Sequence, residues 1–386
     1  MSRGATSERR SLVPSWKKLC GILAFYVFVS LLVVGCGGQE ESGGGSASEE
    51  GVGSGGETTS GGGLASAGGS ASGGGEVEGE GLVVYSGRNE ELVGPIIERF
   101  EEESGIDVEV RYGDTAEMAN LILTEGENSP ADVFFAQDAG ALGAVAREGT
   151  LATLPGEILD RVDPRFRSPA GEWVGLSGRS RVVAYNTDNL SEDELPDTIF
   201  GFTDPEWSGR IGWAPTNGSF QSFVTALRAI EGEDRAREWL EGIQANEPRV
   251  YEGNNPALDA VIAGEVDVAF INHYYLMQRL DEDPDVPAAN YFLTDGDPGA
   301  LVNVAGVGIL TTSDDADAGQ DLIEYLLSEE AQAYFADETK EYPLVEGVET
   351  DPALPPLAEI GTPDIDLSDL SDLEGTLQLL QEVGIL

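Results

Sequence analysis

Sulfur and imidazole are scarce in this chain of 386 residues, which has two cysteines, one histidine and three methionines. Cys20 and Cys36 both precede the first stretch able to build a core, so no disulfide staples the fold. Thiol catalysis and Cys-based zinc or iron–sulfur sites fall away for the same reason. With His273 as the only imidazole, histidine triads and histidine-held metals have little to work with. Neither a Gly-x-Ser-x-Gly elbow nor a Gly-x-x-x-x-Gly-Lys phosphate loop occurs. Carboxylate pairs remain in so acidic a chain, but no pattern singles one out, and the sequence reads as a non-enzyme.

Positive charge is the other shortage. Lys and Arg number 21 against 71 Asp and Glu, a formal net charge of −50. A surface of that sign argues against nucleic acid as a partner and against adsorption to anionic lipid. It concentrates cations of every kind without choosing among them.

What is present begins with a leader. Arg3, Arg9, Arg10, Lys17 and Lys18 precede an apolar run from Leu19 to Val34, and Val33-Val34-Gly35-Cys36 closes it. A basic region, an apolar region and small residues at a cleavage point make a secretory signal. Cysteine directly after Gly35 resembles the lipobox of bacterial lipoproteins, which implies a signal peptide over 1–36 and lipid on Cys36. Residues 37–80 are almost wholly Gly, Ser, Glu, Ala and Thr. Such a segment cannot offset its chain entropy and is expected to be a disordered tether with a reach of roughly 35–40 Å.

The remainder exceeds what one hydrophobic core normally holds, so two α/β lobes are expected. Leu82–Tyr85 reads as a strand. Val93, Ile96, Ile97 and Phe100 then mark a helix at i, i+3, i+4, i+7. Ile106–Arg111, a helix over 115–125, the strand Val133–Phe135 and a helix over 141–148 continue a β-α alternation, the mark of a parallel sheet. Polar residues stand at two strand ends on one sheet edge, Ser86–Asn89 and Gln137–Asp138. Trp173–Asn186 and Asp297–Leu310 are too long for one compact sheet and read as crossovers between lobes. Thr216-Asn217-Gly218-Ser219 opens a helix with apolar residues at Phe220, Phe223, Val224, Leu227 and Ile230. Free N–H groups there suit an anion, though capping by Asn217 explains the residues as well. A second such start is Asn254-Asn255-Pro256, with Asn255 expected as N-cap and Pro256 at N1. Helices over 316–327 and 329–335 close the domain. The tail from Pro352 reads as loosely packed, with a helix over 370–383.

The chain is organised around Asp267–Leu280, where the apolar strand Val268–Ile271 runs into Asn272, His273 and the pair Tyr274-Tyr275. Open α/β sheets bind ligands beyond the carboxyl ends of their strands. Two adjacent phenols, once deprotonated, are hard anionic oxygen donors suited to a hard trivalent cation. Read alone, the dipeptide fits equally a core tyrosine beside a surface one.

Several stretches resemble one family, the extracellular ferric-ion-binding proteins that feed iron ABC importers. They are Val84–Arg88, Ser129–Phe135, Trp173–Arg181, Gly212–Thr216, Ile271–Tyr275, Asp297–Leu301 and Glu341–Leu344, in family order across 82–345. The resemblance implies a two-lobed, type II periplasmic-binding-protein-like fold with two crossover strands. Its lobes are expected over 82–178 with 300–325, and over 179–299 with 326–386. It implies Fe(III) on Tyr274 and Tyr275, and phosphate or carbonate held by Asn217, Gly218, Ser219, Asn254 and Asn272. Asn89 and Gln137 stand where many members carry a histidine and a glutamate, and Phe220 where some carry a third tyrosine. Ser86, Arg88, Asn89, Gln137, Arg179 and Phe220 complete the expected pocket. The partners so implied are a permease and, through Cys36, the outer face of the cytoplasmic membrane, with the chain a monomer in the periplasm or at the cell surface. The neutral Asn89 and Gln137 keep a second reading open: the same fold carrying an anion or small organic solute such as a phosphonate, spermidine or thiamine, without iron.

Overall fold

The computed structural model describes residues 81–386. The expected signal peptide (1–36), its Cys36 anchor and the tether (37–80) lie outside the described residues. Among the described residues no helix is long and apolar enough to cross a membrane.

The first lobe follows the predicted alternation: β1 (Leu82–Ser86), α1 (Glu90–Ser104), β2 (Val108–Tyr112), α2 (Thr115–Glu125), β3 (Val133–Ala136) and α3 (Ala139–Arg147). β1 lies between β2 and β3, parallel to both. α1 forms where its apolar stripe can be buried, and Val93, Ile96, Ile97 and Phe100 all are. It stops at Gly105, whose φ of 74° is a left-handed conformation that glycine adopts without a Cβ clash.

After the short α4 (Gly156–Leu159) comes β4 (Val174–Asn186), 13 residues long and buried throughout. Beyond it lie β5 (Ile211–Trp213), α5 (Gly218–Glu231), α6 (Glu233–Ala245), β6 (Arg249–Val250), α7 (Asn254–Ile262), β7 (Val268–Asn272), α8 (His273–Glu282) and β8 (Ala288–Tyr291). The chain then passes through β9 (Val302–Ile309), α9 (Ala316–Leu326), α10 (Glu329–Asp337), β10 (Tyr342–Pro343) and α11 (Leu373–Glu382). The strand order is β2-β1-β3-β9-β4-β7-β5-β6, with β8 and β10 also on β4. β4 is the shared strand. Its first half pairs antiparallel with β9, and from Arg181 onward it pairs with β7 and β8. β4 is therefore the long link inferred from sequence, whereas the expected strand over 297–310 is shorter: a turn at Pro298–Ala300 precedes the eight residues of β9, which among the described residues pairs only with β3 and the first half of β4.

The first lobe's core gathers around β1, β3 and β9. The second is dense in aromatic rings, with Phe220, Phe223, Trp239 and Phe270 in mutual contact. Burying rings of this size contributes about 1.5–3 kcal/mol each. A third cluster, including Val261, Ala269 and Ile271, packs α7 on the other face of β7.

Three further expectations are corrected. Residues 326–370 do not join the second lobe: Phe335, Tyr342, Leu354, Ile360, Leu367 and Leu370 are buried in the first lobe's core. Only the last helix, through Leu379 and Leu380, packs in the second. The tail is accordingly not loose, because its irregularly spaced leucines each find an apolar seat. The N-cap of α7 is Gly253, with Asn254 and Asn255 inside the first turn. Asn254 is drawn away from capping by partners on α5, described next.

Candidate functional site

A cavity of about 660 Å³ opens between the lobes. Asn89, Thr115, Gln137 and Asp138 line it from the first lobe, Arg179 and Arg181 from β4, and Asn217–Ser219, Asn272 and Tyr275 from the second. The strand ends predicted to share an edge, after β1 and β3, thus face the start of α5 across the cleft.

The second-lobe wall is one hydrogen-bonded network. The Asn217 carboxamide oxygen accepts from the Ser219 N–H at 3.0 Å and from its hydroxyl at 2.6 Å, capping α5. Asn254 donates to the same oxygen at 3.1 Å and to Ser219 Oγ at 3.2 Å. Arg181 then joins α5 to α8, donating to Ser219 Oγ at 3.3 Å and to Asn272 Oδ1 at 3.0 Å. Asn272 begins α8 without capping it, since its carboxamide serves Arg181 instead. The four polar side chains expected to hold an anion are thus brought together. Gly218, between two of them, has open space where a Cβ would stand.

Tyr274 and Tyr275 do not diverge into separate interiors. Their rings stack with centroids 4.2 Å apart and planes at 29°. Tyr275 lines the cavity, and Tyr274 is buried behind it. Burial, and then the neighbouring Tyr275, push the Tyr274 phenol well above the ordinary tyrosine range, so without a cation it stays protonated. Beside the pair, burial lowers the Arg181 guanidinium to about 10, against the pull of Tyr275 and Tyr274.

On the first-lobe wall Asn89 is exposed and its side chain makes no capping bond, which leaves its amide free toward the cleft. Gln137 is held by its backbone: its N–H donates to Thr115 Oγ1 at 3.2 Å and its carbonyl accepts from Arg179. Asp138 caps α3 by accepting from the Ala141 N–H at 3.0 Å. Burial pushes its carboxyl upward, against that N–H and Arg179.

Five expected site residues do not line the cavity: Asn254 and Tyr274, both buried, and Phe220, Arg88 and Ser86. Phe220 sits on the core side of α5, edge-on to Trp213 at 5.6 Å, because the helical stripe that begins there must be buried. Arg88 turns inward and meets Glu341 at 3.0 Å, both side chains almost fully buried. Ser86 Oγ is spent on the Arg88 backbone, at 3.1 Å from its N–H. His273 is a neighbour of the tyrosines and bonds away from the cavity, to the Ser180 N–H and the Lys340 carbonyl. Sequence reasoning missed Arg181 as a site residue; a charged residue inside an apolar strand was the available signal. The tail also contributes, with Leu370, Ser371 and Leu373 on the cavity rim. Among the described residues no three His, Cys, Asp or Glu side chains cluster as a metal site. The carboxylates that line the cavity, Asp114 and Asp138, belong to the first lobe and cap α2 and α3, so on the second-lobe wall the hard oxygen donor that can become anionic is the Tyr275 phenol.

Residues 95–360 match the family model described as bacterial extracellular solute-binding protein. The major ferric iron-binding protein of Neisseria meningitidis is 34% identical over 306 residues, covering 78% of this chain and 92% of that one. The chain belongs to the ferric-ion-binding family of bacterial extracellular solute-binding proteins. Another member, the Fe(3+)-binding periplasmic protein of Serratia marcescens, is 32% identical over 309 residues, 79% of this chain and 90% of its own. Iron-bound HitA of Pseudomonas aeruginosa matches in structure with a TM-score of 0.73 at 36% identity, over 78% of this chain and 99% of that one. The Trichodesmium protein IdiA (FutA), in complex with iron and citrate, matches at 0.70 and 30%, over 79% and 99%. This is a family of solute-binding proteins, not of enzymes, and its structures share the two-lobed fold expected from sequence.

Proposed function

We propose that this chain is an exported carrier that binds Fe(III) on the phenolate oxygens of Tyr274 and Tyr275, with an anion on the network at the start of α5. The observation that supports the reading is the stacked pair, whose outer ring, Tyr275, lines one cavity with Asn217, Gly218 and Ser219. A trivalent cation there is neutralised from two sides, by phenolates and by an oxyanion seated on helix N–H groups and Arg181. The relatives named for ferric iron support it, as does the iron-bound HitA structure. In this reading Cys36 carries lipid outside the cytoplasmic membrane, 37–80 is the tether, and a monomer delivers iron to an ABC permease.

Ferric phenolates absorb strongly in the visible through charge transfer. Titrating the apo chain with ferric salt in bicarbonate or phosphate should produce that band, and Tyr274→Phe or Tyr275→Phe should weaken or abolish it. A parent protein that stays colourless under these conditions sinks the iron reading. The neutral amides of Asn89 and Gln137 favour one second reading, an anion or small organic solute carried without iron. Calorimetry with phosphate, a phosphonate, spermidine or thiamine in metal-free buffer would then give heat where ferric salt gives none.

A further inference from the structure

We infer that the end of the chain is a latch between the lobes: α11, seated on α5, is tied to the first lobe by a strap too short for the cleft to open while the helix stays in place. The latch acts on the cleft whatever its cargo and does not depend on iron.

The strap has an anchor in each lobe. On the first-lobe side, Leu354, Ile360, Leu367 and Leu370 are buried in the core of that lobe. The turn Leu367–Ser371 lies so close to α3 that a Cβ at Gly140 or Gly143 would stand 2.5 Å from its backbone. On the second-lobe side, α11 buries Leu379 and Leu380 in the other core. The Thr376 and Thr225 hydroxyls meet at 2.7 Å, both residues being buried. Arg228 on α5 donates to the Asp372 carbonyl at 3.0 Å, to its carboxylate at 2.9 Å and to the Thr376 hydroxyl at 3.0 Å.

Between these anchors there is no slack. Leu370 belongs to the first core, Asp372 is already held by α5, and Ser371 alone joins them. Two Cα steps span at most about 7 Å when fully extended. The crossing lies on the rim of the cavity, which Leu370, Ser371 and Leu373 help to line. Parting α3 from α5 along this edge must therefore pull one anchor out.

The construction of the two anchors decides which one yields. Four buried apolar side chains and a backbone wedged against α3 hold the first. The second is one helix of 10 residues at the chain end, too short to persist alone in water. Its ion pairs, Asp372 with Arg228 and Glu382 with Arg237, use exposed carboxylates and add little. α11 is accordingly the end that lets go, as terminal elements with few buried contacts do. Its seat, α5, is also the helix that presents Asn217, Gly218 and Ser219 to the cleft, so latch and site share one element.

The test reads the lobes directly, with no ligand added. In the full chain carrying Cys20→Ser and Cys36→Ser, spin labels are placed on Glu117→Cys and Glu252→Cys. Both are exposed, one in the first turn of α2 and the other just before α7. Pulsed electron resonance then gives the distribution of interlobe distances. One variant inserts Gly-Ser-Gly-Ser between Ser371 and Asp372, which keeps both anchors and adds up to about 13–14 Å of slack. A second, Arg228→Gln with Thr376→Val, loosens the seat of α11 and leaves the strap its length. The labelled parent should show one narrow distribution. The insertion should add a population at longer distance without lowering the thermal midpoint, which a purely structural role for α11 would not produce. The second variant should add a smaller population at the same distance. Parental distributions in both folded variants overturn the latch, and so does a parent already as broad as the insertion variant. If the insertion does not fold, the second variant decides alone.

Discussion

His273 Nδ1 accepts a hydrogen bond from the Ser180 backbone N–H at 3.2 Å, so the chain's one imidazole ties the tyrosine-bearing helix α8 to the crossover strand. Its Nε2 lies 2.9 Å from the Lys340 carbonyl oxygen and therefore carries the proton. Burial holds the ring neutral by lowering its pKa to about 4, in spite of nearby Glu341. His273→Leu leaves both backbone groups unpaired, at about 1–3 kcal/mol each. It should lower the thermal midpoint and shift the phenolate–iron band, since Tyr274 follows directly. His273→Asn keeps an acceptor for Ser180 and should recover part of both, which separates positioning from plain destabilisation.

The buried pair of Arg88 and Glu341 offers a second test. Glu341 meets Arg88 at 3.0 Å and also accepts from the Ser177 hydroxyl at 2.5 Å. Glu341→Leu strands the Arg88 charge and should cost about 3–5 kcal/mol in urea unfolding. The double variant Arg88→Met, Glu341→Leu removes both charges and should regain most of that loss. A double variant no better than the single one would mean that the ionic contact, not desolvation, dominates.

The same carboxylate sets a pH dependence. Burial pushes the Glu341 pKa upward, but Arg88, Arg179 and the Ser177 hydroxyl outweigh it and hold the carboxyl below its ordinary 4.5. Its ionised form therefore contributes stability that is fully present above about 4.5. That contribution is lost as pH falls through the depressed value, where the unfolded state binds the extra proton. The groups facing it are Arg88, Arg179 and His273, and the histidine also loses stability on acidification. The parent should accordingly destabilise more steeply between about pH 5 and pH 3 than the Arg88→Met, Glu341→Leu variant, in which His273 remains. Equal slopes would remove Glu341 from the account.

How much of this was legible beforehand depends on what kind of contact each feature needs. β4 could be read because length alone makes a 13-residue strand a link between lobes. The Asn217 cap and the tyrosine pair are local patterns, and both stand at the cleft. Arg181 faces Asn272 only through the antiparallel register of β4 with β7, which no run of residues encodes locally. Arg88 and Glu341 are 253 positions apart. α6 is legible too, because Ala236, Trp239, Leu240 and Ile243 carry a clear helical spacing. The tail's leucines have no such period, and only the assembled first lobe shows where they go.

The tail supplies the last prediction, because it packs on α3 and on α5 beside the cavity rim. A Cβ at Gly140 would stand 2.5 Å from the Leu370 carbonyl oxygen, and one at Gly143 would stand 2.5 Å from that of Ser368. Both obstacles are backbone, so the tail itself must move. Helix propensity favours alanine over glycine by up to about 1 kcal/mol, while overpacking typically costs about 1–3 kcal/mol. The clash should win, and Gly140→Ala and Gly143→Ala should lower the thermal midpoint. Since Leu370, Ser371 and Leu373 form the rim, the same variants should also weaken ligand binding. Gly218→Ala meets nothing within 4 Å and should fold as well as the parent. Its methyl group occupies the open space through which an anion reaches the start of α5, so ligand titration should show a loss that thermal melting does not.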